Sequence, residues 1–558
     1  MNQRKLAFSI ALGAMLTLGL LAGLSLSTSP AMALSEVYEE ATSVDTLGSY
    51  TTLQAQDNIS TAHVVVVLSD EKTAVRSITW TGTISRVTAL KIAGFDVENL
   101  GDAICSIEGD GCLPPDGCFC PDNNWWQGRW DVSQWDSSGW PPANLVDGDV
   151  IGFHQGDVWS PPAYPAPSYV GGSRALDWLR DQQQSDGGFG SLNSTAEALI
   201  AAGANQVDGS TWQSSGPSLL ANMLSEGPEL ANRNASGVGK LAVALASQES
   251  CWPIESMTPL DYYDPVSGTF SIDTLYQTWA MLGTSALSET VPSSATQYLK
   301  GLQQGNGGWE WAVGQGTDTN STALALQALI AAGEPATSSV ITNGLSYLEN
   351  AQNEDGGFPY SPDSPWGTAS DANSTAYAVQ ALVATGEDPL TGTWAISNTN
   401  PISYLLSLQL PDGSFEWQEG SGTNLFATRQ VVPALLHQPF PLKATSVEDC
   451  YGISGHVSEN QQTSQSTAAQ GTGDGITGVT LWAQGASDLY FGSTISPTGA
   501  YTISVPSTGT YTLVPSYGDY IFSPTERTAQ VTGAPGDVTS GYDFVGETRI
   551  YLPLIIRS

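Results

Sequence analysis

The chain has 558 residues, of which 17 are basic and 55 are acidic, and its formal net charge at pH 7 is −38. This charge disfavours nucleic acid and anionic lipid as partners, because an acidic surface repels polyanions. The length allows several domains, and the low charged fraction of 13% is typical of an exported protein with a neutral polar surface.

The N-terminal residues predict an export signal. Arg4 and Lys5 precede a long apolar run that ends near Leu26, and the segment 31–33 offers a small-x-small cleavage site. An uncleaved anchor helix is the alternative, because the apolar run approaches membrane-spanning length. We predict that residues 1–33 are a signal peptide, that no later segment spans a membrane, and that the protein is secreted or held at the cell surface.

A flexible, acidic lead-in is predicted over 34–58, followed by a small α+β unit over 59–160. The β-branched run 62–68 predicts a buried strand, and 103–108 predicts another. A tryptophan-rich stretch follows, and a turn that feeds a strand at 144–153 closes the unit.

Six cysteines fit an oxidising compartment. Four cluster in the first unit, where three pairings are open, and the other two are candidates for a long-range pair. A soft-metal site is the alternative for the cluster, but paired C-x-x-C spacing and an adjacent histidine are both missing. We therefore expect disulfides among Cys105, Cys112, Cys118, Cys120, Cys251 and Cys450.

A Pro-rich linker over 161–169 leads into repeats that fill 170–440. A short phrase recurs there: a helical stretch, a glutamine, an acidic residue or Asn, two small residues and an aromatic residue. A second helical stretch follows each copy and is nearly free of charge, which is typical of a buried helix. About twelve such stretches predict an inner ring of helices wrapped by an outer ring, an α6/α6 toroid. The copies are Gln184–Phe189, Gln304–Trp309, Gln352–Phe358 and Gln409–Phe415.

The C-terminal part is predicted to contain a linker over 441–474 and a small antiparallel β-sandwich over 475–545, where apolar and polar residues alternate. The tail 546–558 is apolar but too short to span a bilayer. A last strand and a sorting tag are both open for the tail. The fold class is therefore multidomain: an α+β unit, a toroid and a β-sandwich.

The repeated turns resemble those of the terpenoid cyclase and prenyltransferase toroid superfamily over about 170–440. Within it, the Asp-Thr starts of inner helices at Asp273 and Asp318, with a weaker one at Asp371, resemble the cobalamin carriers transcobalamin and intrinsic factor. This resemblance implies a toroid mouth that binds a large polar ligand.

Two stretches of the first unit, Ser106–Gly109 and Asp147–Phe153, resemble the β-grasp-type domain that caps cobalamin in those carriers. Here the unit precedes the toroid instead of following it. The C-terminal unit resembles carboxypeptidase-regulatory-like domains.

Enzyme chemistry is disfavoured by the residues that are missing. Squalene-hopene-type cyclases use an Asp-x-Asp-Asp motif to protonate an alkene, and this chain has none. Protein prenyltransferases hold zinc with Asp, Cys and His, and the toroid region offers only Cys251 and, at its edge, His437. We therefore lean against an enzyme. An extracellular carbohydrate-active or terpenoid-cyclase-like enzyme and a cell-surface adhesion scaffold are the alternatives.

The leading hypothesis is a non-catalytic binding protein for cobalamin or another large polar ligand, held between the first unit and the toroid mouth. The aspartates at the helix starts are expected to act mainly as N-caps, which does not exclude a ligand. The turn aromatics Phe189, Phe270, Trp309, Phe358 and Phe415 are expected to pack between helices, whereas Trp311, Trp366 and Trp417 could pack or reach a ligand. The candidate ligand-binding residues are Asp273, Thr274, Gln277, Asp318, Thr319, Gln327, Asp371, Asn373 and Gln380.

Overall fold

The structure is a computed structural model. It describes residues 59–112, 118, 125–131, 133–136, 144–156, 159–214, 216–365, 367–442, 447–460, 475–494 and 496–548. The predicted signal and lead-in, Cys120, Trp366 and most of the apolar tail lie outside these residues. No helix in the described ranges is long and apolar enough to cross a membrane.

The first unit is built on a mixed five-stranded sheet. Its elements are β1 (Ser60–Val67), β2 (Thr73–Trp80), α1 (Arg86–Ile92), β3 (Val97–Leu100), β4 (Ala103–Ile107), β5 (Asp110–Gly111), β6 (Trp125–Asp131), β7 (Gln134–Asp136) and β8 (Val150–Gln155). The sheet order is β2-β1-β8-β6-β7, with β8 parallel to β1, and β3-β4-β5 form a separate sheet. Val64, Val66, Leu90 and Phe153 share one buried cluster, which fixes the helix against the sheet.

The toroid has six inner helices within the described residues: α3 (Leu192–Ala204), α5 (Ala235–Ala246), α6 (Thr274–Ala286), α8 (Thr319–Ala331), α10 (Ala372–Thr385) and α12 (Leu425–Leu435). The outer elements are α2 (Ala166–Asp181), α4 (Leu219–Ala231), a 3-10 turn (Pro259–Tyr262), α7 (Ser293–Gly301), α9 (Ser339–Ala351) and α11 (Pro401–Ser407). Two short antiparallel strands, β9 (Trp309–Glu310) and β10 (Thr317–Asp318), precede α8. Each inner helix packs on the next and α12 packs back on α3, so the ring is closed and the predicted α6/α6 toroid is confirmed. Helix α2 begins inside the predicted linker, because proline is tolerated in the first helical turn.

A glutamine in each of the four clear copies of the turn links that turn to the next outer helix or to the segment before it. Nε2 of Gln352 donates to the carbonyls of Gly356 and Trp394, each at 3.0 Å. The equivalent residues are Gln183, Gln303 and Gln409. Our assignment of Gln184 and Gln304 was wrong by one residue, because two adjacent glutamines cannot be told apart by type. Both are exposed in the structure.

The fourth residue of an inner helix holds the aromatic end of the preceding turn. The Thr322 hydroxyl accepts the backbone N–H of Trp309 at 3.0 Å, and that of Thr375 accepts the N–H of Phe358 at 2.9 Å. Thr195, Gln277 and Thr428 do the same in other repeats. The turn aromatics are buried, as predicted, and the turn and the inner helix are therefore one packed unit.

The C-terminal strands are β11 (Tyr451–Glu459), β12 (Thr480–Gln484), β13 (Leu489–Ser493), β14 (Ala500–Val505), β15 (Gly509–Ser516), β16 (Tyr520–Ser523), β17 (Arg527–Val531), β18 (Val538–Thr539) and β19 (Phe544–Thr548). They form two sheets, β14-β11-β19-β16 with β18 beside β11, and β13-β12-β15-β17. Strand β11 lies inside the predicted linker 441–474. The prediction of a linker was therefore wrong for Tyr451–Glu459. On the inward face of β11, Gly455 stands between Ile453 and Val457, which weakens the apolar period on which strand prediction depends.

Covalent and polar links fasten these sheets to the toroid. A disulfide joins Cys251 to Cys450, 199 residues apart, as predicted for the long-range pair. The backbone N–H of Ser218, at the start of α4, donates to the buried carboxylate of Asp488 at 3.3 Å. In the first unit Cys105 pairs with Cys118, and Cys112 is also disulfide-bonded.

Candidate functional site

The N-termini of the inner helices meet at one end of the toroid, called the mouth below. The first N–H groups of α8 and α10 donate to the carbonyls of Tyr360 and Trp417, at 2.8 and 2.9 Å. These bonds satisfy N–H groups that a helix leaves free. Tyr360 and Trp417 are 45% and 40% exposed. Ile272, just before Asp273, and Phe426, in the first turn of α12, are also exposed. The mouth therefore has an apolar, aromatic rim, and Trp417 is one of the tryptophans that lie on it.

Asp318, at the start of α8, is a buried acid with one unoccupied oxygen. Its Oδ1 accepts the backbone N–H of Ser321 at 2.7 Å, which makes it the N-cap of the helix. Its Oδ2 is buried and has no hydrogen-bond partner among the described residues. Burial raises the pKa of Asp318 to about 6, although the hydroxyl of Ser321 and the N–H of Trp311 lie close enough to lower it in part.

Asp371 occupies the same place before α10 but is fully occupied. Its Oδ1 accepts the N–H of Ser374 and its Oδ2 accepts the hydroxyl of Ser374, both at 2.8 Å. Burial raises the pKa of Asp371 to about 6 as well. Asp273, before α6, is half-buried and makes no side-chain cap hydrogen bond in the described part of the chain. The predicted N-cap role thus holds for Asp318 and Asp371 but not for Asp273.

Two predicted ligand-binding residues, Gln277 and Thr319, form hydrogen bonds with the protein backbone. Gln277 holds the backbone of Phe270 with its Oε1 at 2.9 Å and donates from Nε2 to the carbonyl of Ala295 at 3.1 Å. The hydroxyl of Thr319 donates to the carbonyl of Pro359 at 2.7 Å. Thr274 is also buried. The neutral polar groups expected to meet a ligand are therefore satisfied by the protein at these positions.

The remaining candidates are divided between the centre of the toroid and its far end. Gln327 accepts the backbone N–H of Phe440 at 2.8 Å, and Gln380 donates to the carbonyl of Gln438 at 3.2 Å. The segment 438–442 therefore plugs the end opposite the mouth. Asn373 faces the toroid axis, where it donates to Gln430 at 2.7 Å.

The toroid centre is occupied by the sixth residues of the inner helices and their neighbours. Glu197 accepts hydrogen bonds from Lys240 at 2.9 Å and from Arg429 at 2.6 Å. Burial alone would raise the pKa of Glu197, but these two cations hold it below its ordinary value. Trp279 and Phe440, with ring centroids 5.4 Å apart, fill the other side.

Little space remains between these groups. The central cavity has a volume of about 10 Å³, roughly that needed for one water molecule. A corrinoid or a polyene cannot enter it without a large rearrangement.

The first unit packs on the far end of the toroid, away from the mouth. The guanidinium of Arg76 donates to the backbone carbonyls of Asn205 and Gln206, which follow the end of α3. Gln438 donates to the carbonyl of Glu71 at 2.8 Å. The expected ligand site between the first unit and the Asp-bearing mouth was therefore wrong. The sequence gives the order of the units along the chain, but not the end on which they dock.

One feature of the mouth was missed in the sequence. The carboxylate of Glu310 accepts the N–H groups of Gly314 and Gly316, and that of Glu416 does the same for Gly420 and Gly422. Each glutamate closes the loop before an inner helix and places the following tryptophan near the rim. The signal was present as a repeated Glu-Trp-x-x-Gly-x-Gly-Thr spacing.

Comparison with protein families gives one match: residues 263–448 match the model of the squalene-hopene cyclase C-terminal domain. No curated protein matches the chain in sequence. Among solved structures, the type II terpene cyclase MstE from Scytonema is 14% identical, with 49% of this chain and 97% of that chain covered, at a TM-score of 0.36. Hormoconis resinae glucoamylase is 11% identical, with 69% and 99% covered, at a TM-score of 0.32.

The family match supports the toroid superfamily and corrects our inclination against an enzyme. The matched residues are similar to a cyclase domain, and they include both Asp318 and Asp371. The match gives no support to a non-catalytic cobalamin carrier. The likenesses to transcobalamin and to carboxypeptidase-regulatory-like domains stay predictions.

Proposed function

We propose that the chain is an exported cyclase-type enzyme, in which the carboxyl group of Asp318 protonates an apolar, unsaturated substrate at the mouth of the toroid. The observation that carries this proposal is the buried Oδ2 of Asp318, which makes no hydrogen bond among the described residues, although the N–H of Trp311 lies close to the carboxylate. Asp371, with the same burial and both oxygens hydrogen-bonded, is the structural counterpart.

The state of the carboxyl group fits the role of a proton donor. Burial raises its pKa to about 6, so that it holds a proton in mildly acidic solution where an ordinary aspartate does not. Transfer of that proton to an alkene carbon leaves a carboxylate on Asp318 and a carbocation on the substrate. A later loss of a proton or addition of water completes the reaction.

An aromatic ring beside Asp318 can stabilise the carbocation, because a cation is attracted to the face of an aromatic ring. Tyr360 is exposed at the rim next to the start of α8, and Trp417 is exposed at the start of the neighbouring helix α10. Burial and the neighbouring charge of Asp318 raise the pKa of Tyr347 to about 12, so this phenol stays neutral beside the acid. Since only 1% of Asp318 is exposed, rim side chains must move aside for the substrate.

The test is incubation of purified protein with squalene in detergent micelles at about pH 5, where the acid is protonated. We expect cyclised isomers, detected by gas chromatography with mass spectrometry. Asp318→Asn should abolish them. Asp371→Asn, the matched control, should keep a measurable rate. Absence of any product from the wild type, or equal product from Asp318→Asn, contradicts the proposal.

A further inference from the structure

The centre of the toroid holds an uncompensated positive charge. Glu197, Lys240 and Arg429 come from neighbouring inner helices, and their side chains are 9%, 12% and 8% exposed. One carboxylate therefore faces two cations, which leaves the cluster with a net charge of +1. A buried charge is costly unless a partner of opposite sign compensates it.

The aromatic neighbours of the two cations do not neutralise the net charge of the cluster. The ammonium group of Lys240 lies 5.0 Å from the ring centroid of Trp279, and the guanidinium of Arg429 lies 4.8 Å from that of Phe426. These cation–π contacts stabilise the cations without neutralising them.

A chain of hydrogen bonds leaves the Tyr377 hydroxyl as a further donor beside this charged cluster. Asn373 donates to Oε1 of Gln430 at 2.7 Å, and Nε2 of Gln430 donates to the hydroxyl of Tyr377 at 3.2 Å. The Tyr377 oxygen thus acts as an acceptor for Gln430, and its own proton is left to donate. Burial raises the pKa of Tyr377 far above its ordinary value, so the group is a neutral hydroxyl.

Arg429, Tyr377 and Gln430 line the small central cavity beside the Glu197 carboxylate, and Lys240 binds the other side of that carboxylate outside the lining. We propose that this cavity binds a small monovalent anion of the halide class, such as chloride, held by the Arg429 guanidinium and the Tyr377 hydroxyl. An anion here brings the net charge of the cluster to zero. The volume of about 10 Å³ suits one atom-sized ion and excludes larger anions such as gluconate.

The first test compares thermal unfolding in sodium chloride and in sodium gluconate at equal ionic strength, so that general screening is the same. Binding to the folded state alone raises its stability. We expect the melting temperature to be about 2–4 °C higher in chloride, the size of shift that ~1 kcal/mol produces in a domain of this size. Equal melting temperatures in the two salts overturn the proposal.

Variants with opposite expected signs make the test specific. Arg429→Gln should abolish the chloride-specific increase, and Glu197→Gln should enlarge it, because the cluster then carries two uncompensated cations. Arg233→Gln, at the exposed pair with Glu229, is the matched control and should leave the increase unchanged. A chloride response that is the same in Arg429→Gln and the wild type overturns the site.

A direct measurement remains available if Arg429→Gln does not fold. Wild-type crystals grown in sodium bromide should show an anomalous peak beside the Arg429 guanidinium. No peak at that position, with bromide present elsewhere in the crystal, contradicts the proposal. The result does not depend on Asp318, so failure here and failure of the proposed cyclase chemistry can be told apart.

Discussion

Asp318 and Asp371 precede neighbouring inner helices in equivalent positions, yet they differ in one hydrogen bond. Asp371 binds Ser374 with both carboxylate oxygens, whereas Asp318 binds Ser321 with Oδ1 alone and keeps Oδ2 unoccupied. A group left unsatisfied in a buried position costs stability. The fold retains this cost at one repeat, which is typical of a residue kept for chemistry.

The first prediction concerns the pH dependence of stability at Asp318. Its pKa in the folded state is about 6, above the ordinary 3.8. The folded state therefore binds the proton more tightly than the unfolded state, and stability is highest below about pH 4 and falls as the pH rises through about 6. Asp318→Asn removes this loss and should raise the free energy of unfolding at neutral pH by up to about 3 kcal/mol.

Denaturant unfolding across this pH range checks that expectation. At about pH 2.5, more than one unit below the ordinary pKa of 3.8, the variant and the wild type should have similar stability, because the aspartate is then protonated in both states. A variant that is less stable than the wild type at neutral pH would show that the carboxylate is favourable where it lies. Thr342→Val, at an exposed site on α9, serves as the neutral control.

The second prediction tests which glutamine holds each turn. Nε2 of Gln303 donates to the carbonyls of Gly307 and Val340 at 2.8 and 2.9 Å, whereas Gln304 is exposed. Gln303→Ala should lower the free energy of unfolding by about 1–3 kcal/mol, because two carbonyls lose their donor. Gln304→Ala, one residue away, should change it by less than about 0.5 kcal/mol. Equal effects would contradict the assigned register.

The third prediction concerns the link between an inner helix and its turn. The hydroxyl of Thr322 accepts the N–H of Trp309, and both residues are fully buried. Thr322→Val keeps the shape of the side chain but leaves that N–H without an acceptor, which should cost about 1–3 kcal/mol. Chemical denaturation gives the value. Thr322→Ser, which keeps the hydroxyl, should retain more stability than the valine variant despite its smaller side chain.

The fourth prediction concerns the contact between the first unit and the toroid. Asn205 accepts the N–H of Val75 at 2.7 Å and donates to its carbonyl at 3.1 Å, so its amide completes the edge strand β2. Asn205→Ala leaves the N–H of Val75 without its acceptor, whereas the carbonyl of Val75 keeps the Arg76 guanidinium at 3.0 Å. We expect faster proteolytic release of the first unit and a lower melting temperature. Asn350→Ala, at an exposed site on α9, should have neither effect.

The repeated turns were enough to predict the toroid, because each places a buried, charge-poor helix after a fixed phrase. The register of the phrase failed where glutamines adjoin, at 182–184 and 303–304. Strand β11 was missed because Gly455 interrupts the apolar residues of its inward face. The pair Glu197 and Arg429 lies 232 residues apart, and no local pattern joins its members. The candidate acid Asp318 has no sequence signature of its own, because an N-cap aspartate with an unbonded oxygen has the same local pattern as Asp371.

The most direct test of Asp318 as the proton donor is deuterium incorporation from D₂O during turnover of squalene. The account predicts that each product molecule formed by the wild type gains a deuteron at the carbon that is protonated first, and that the rate falls as the pH rises through about 6. Asp318→Asn should give no labelled product. Labelled product formed at the wild-type rate by Asp318→Asn would contradict the account.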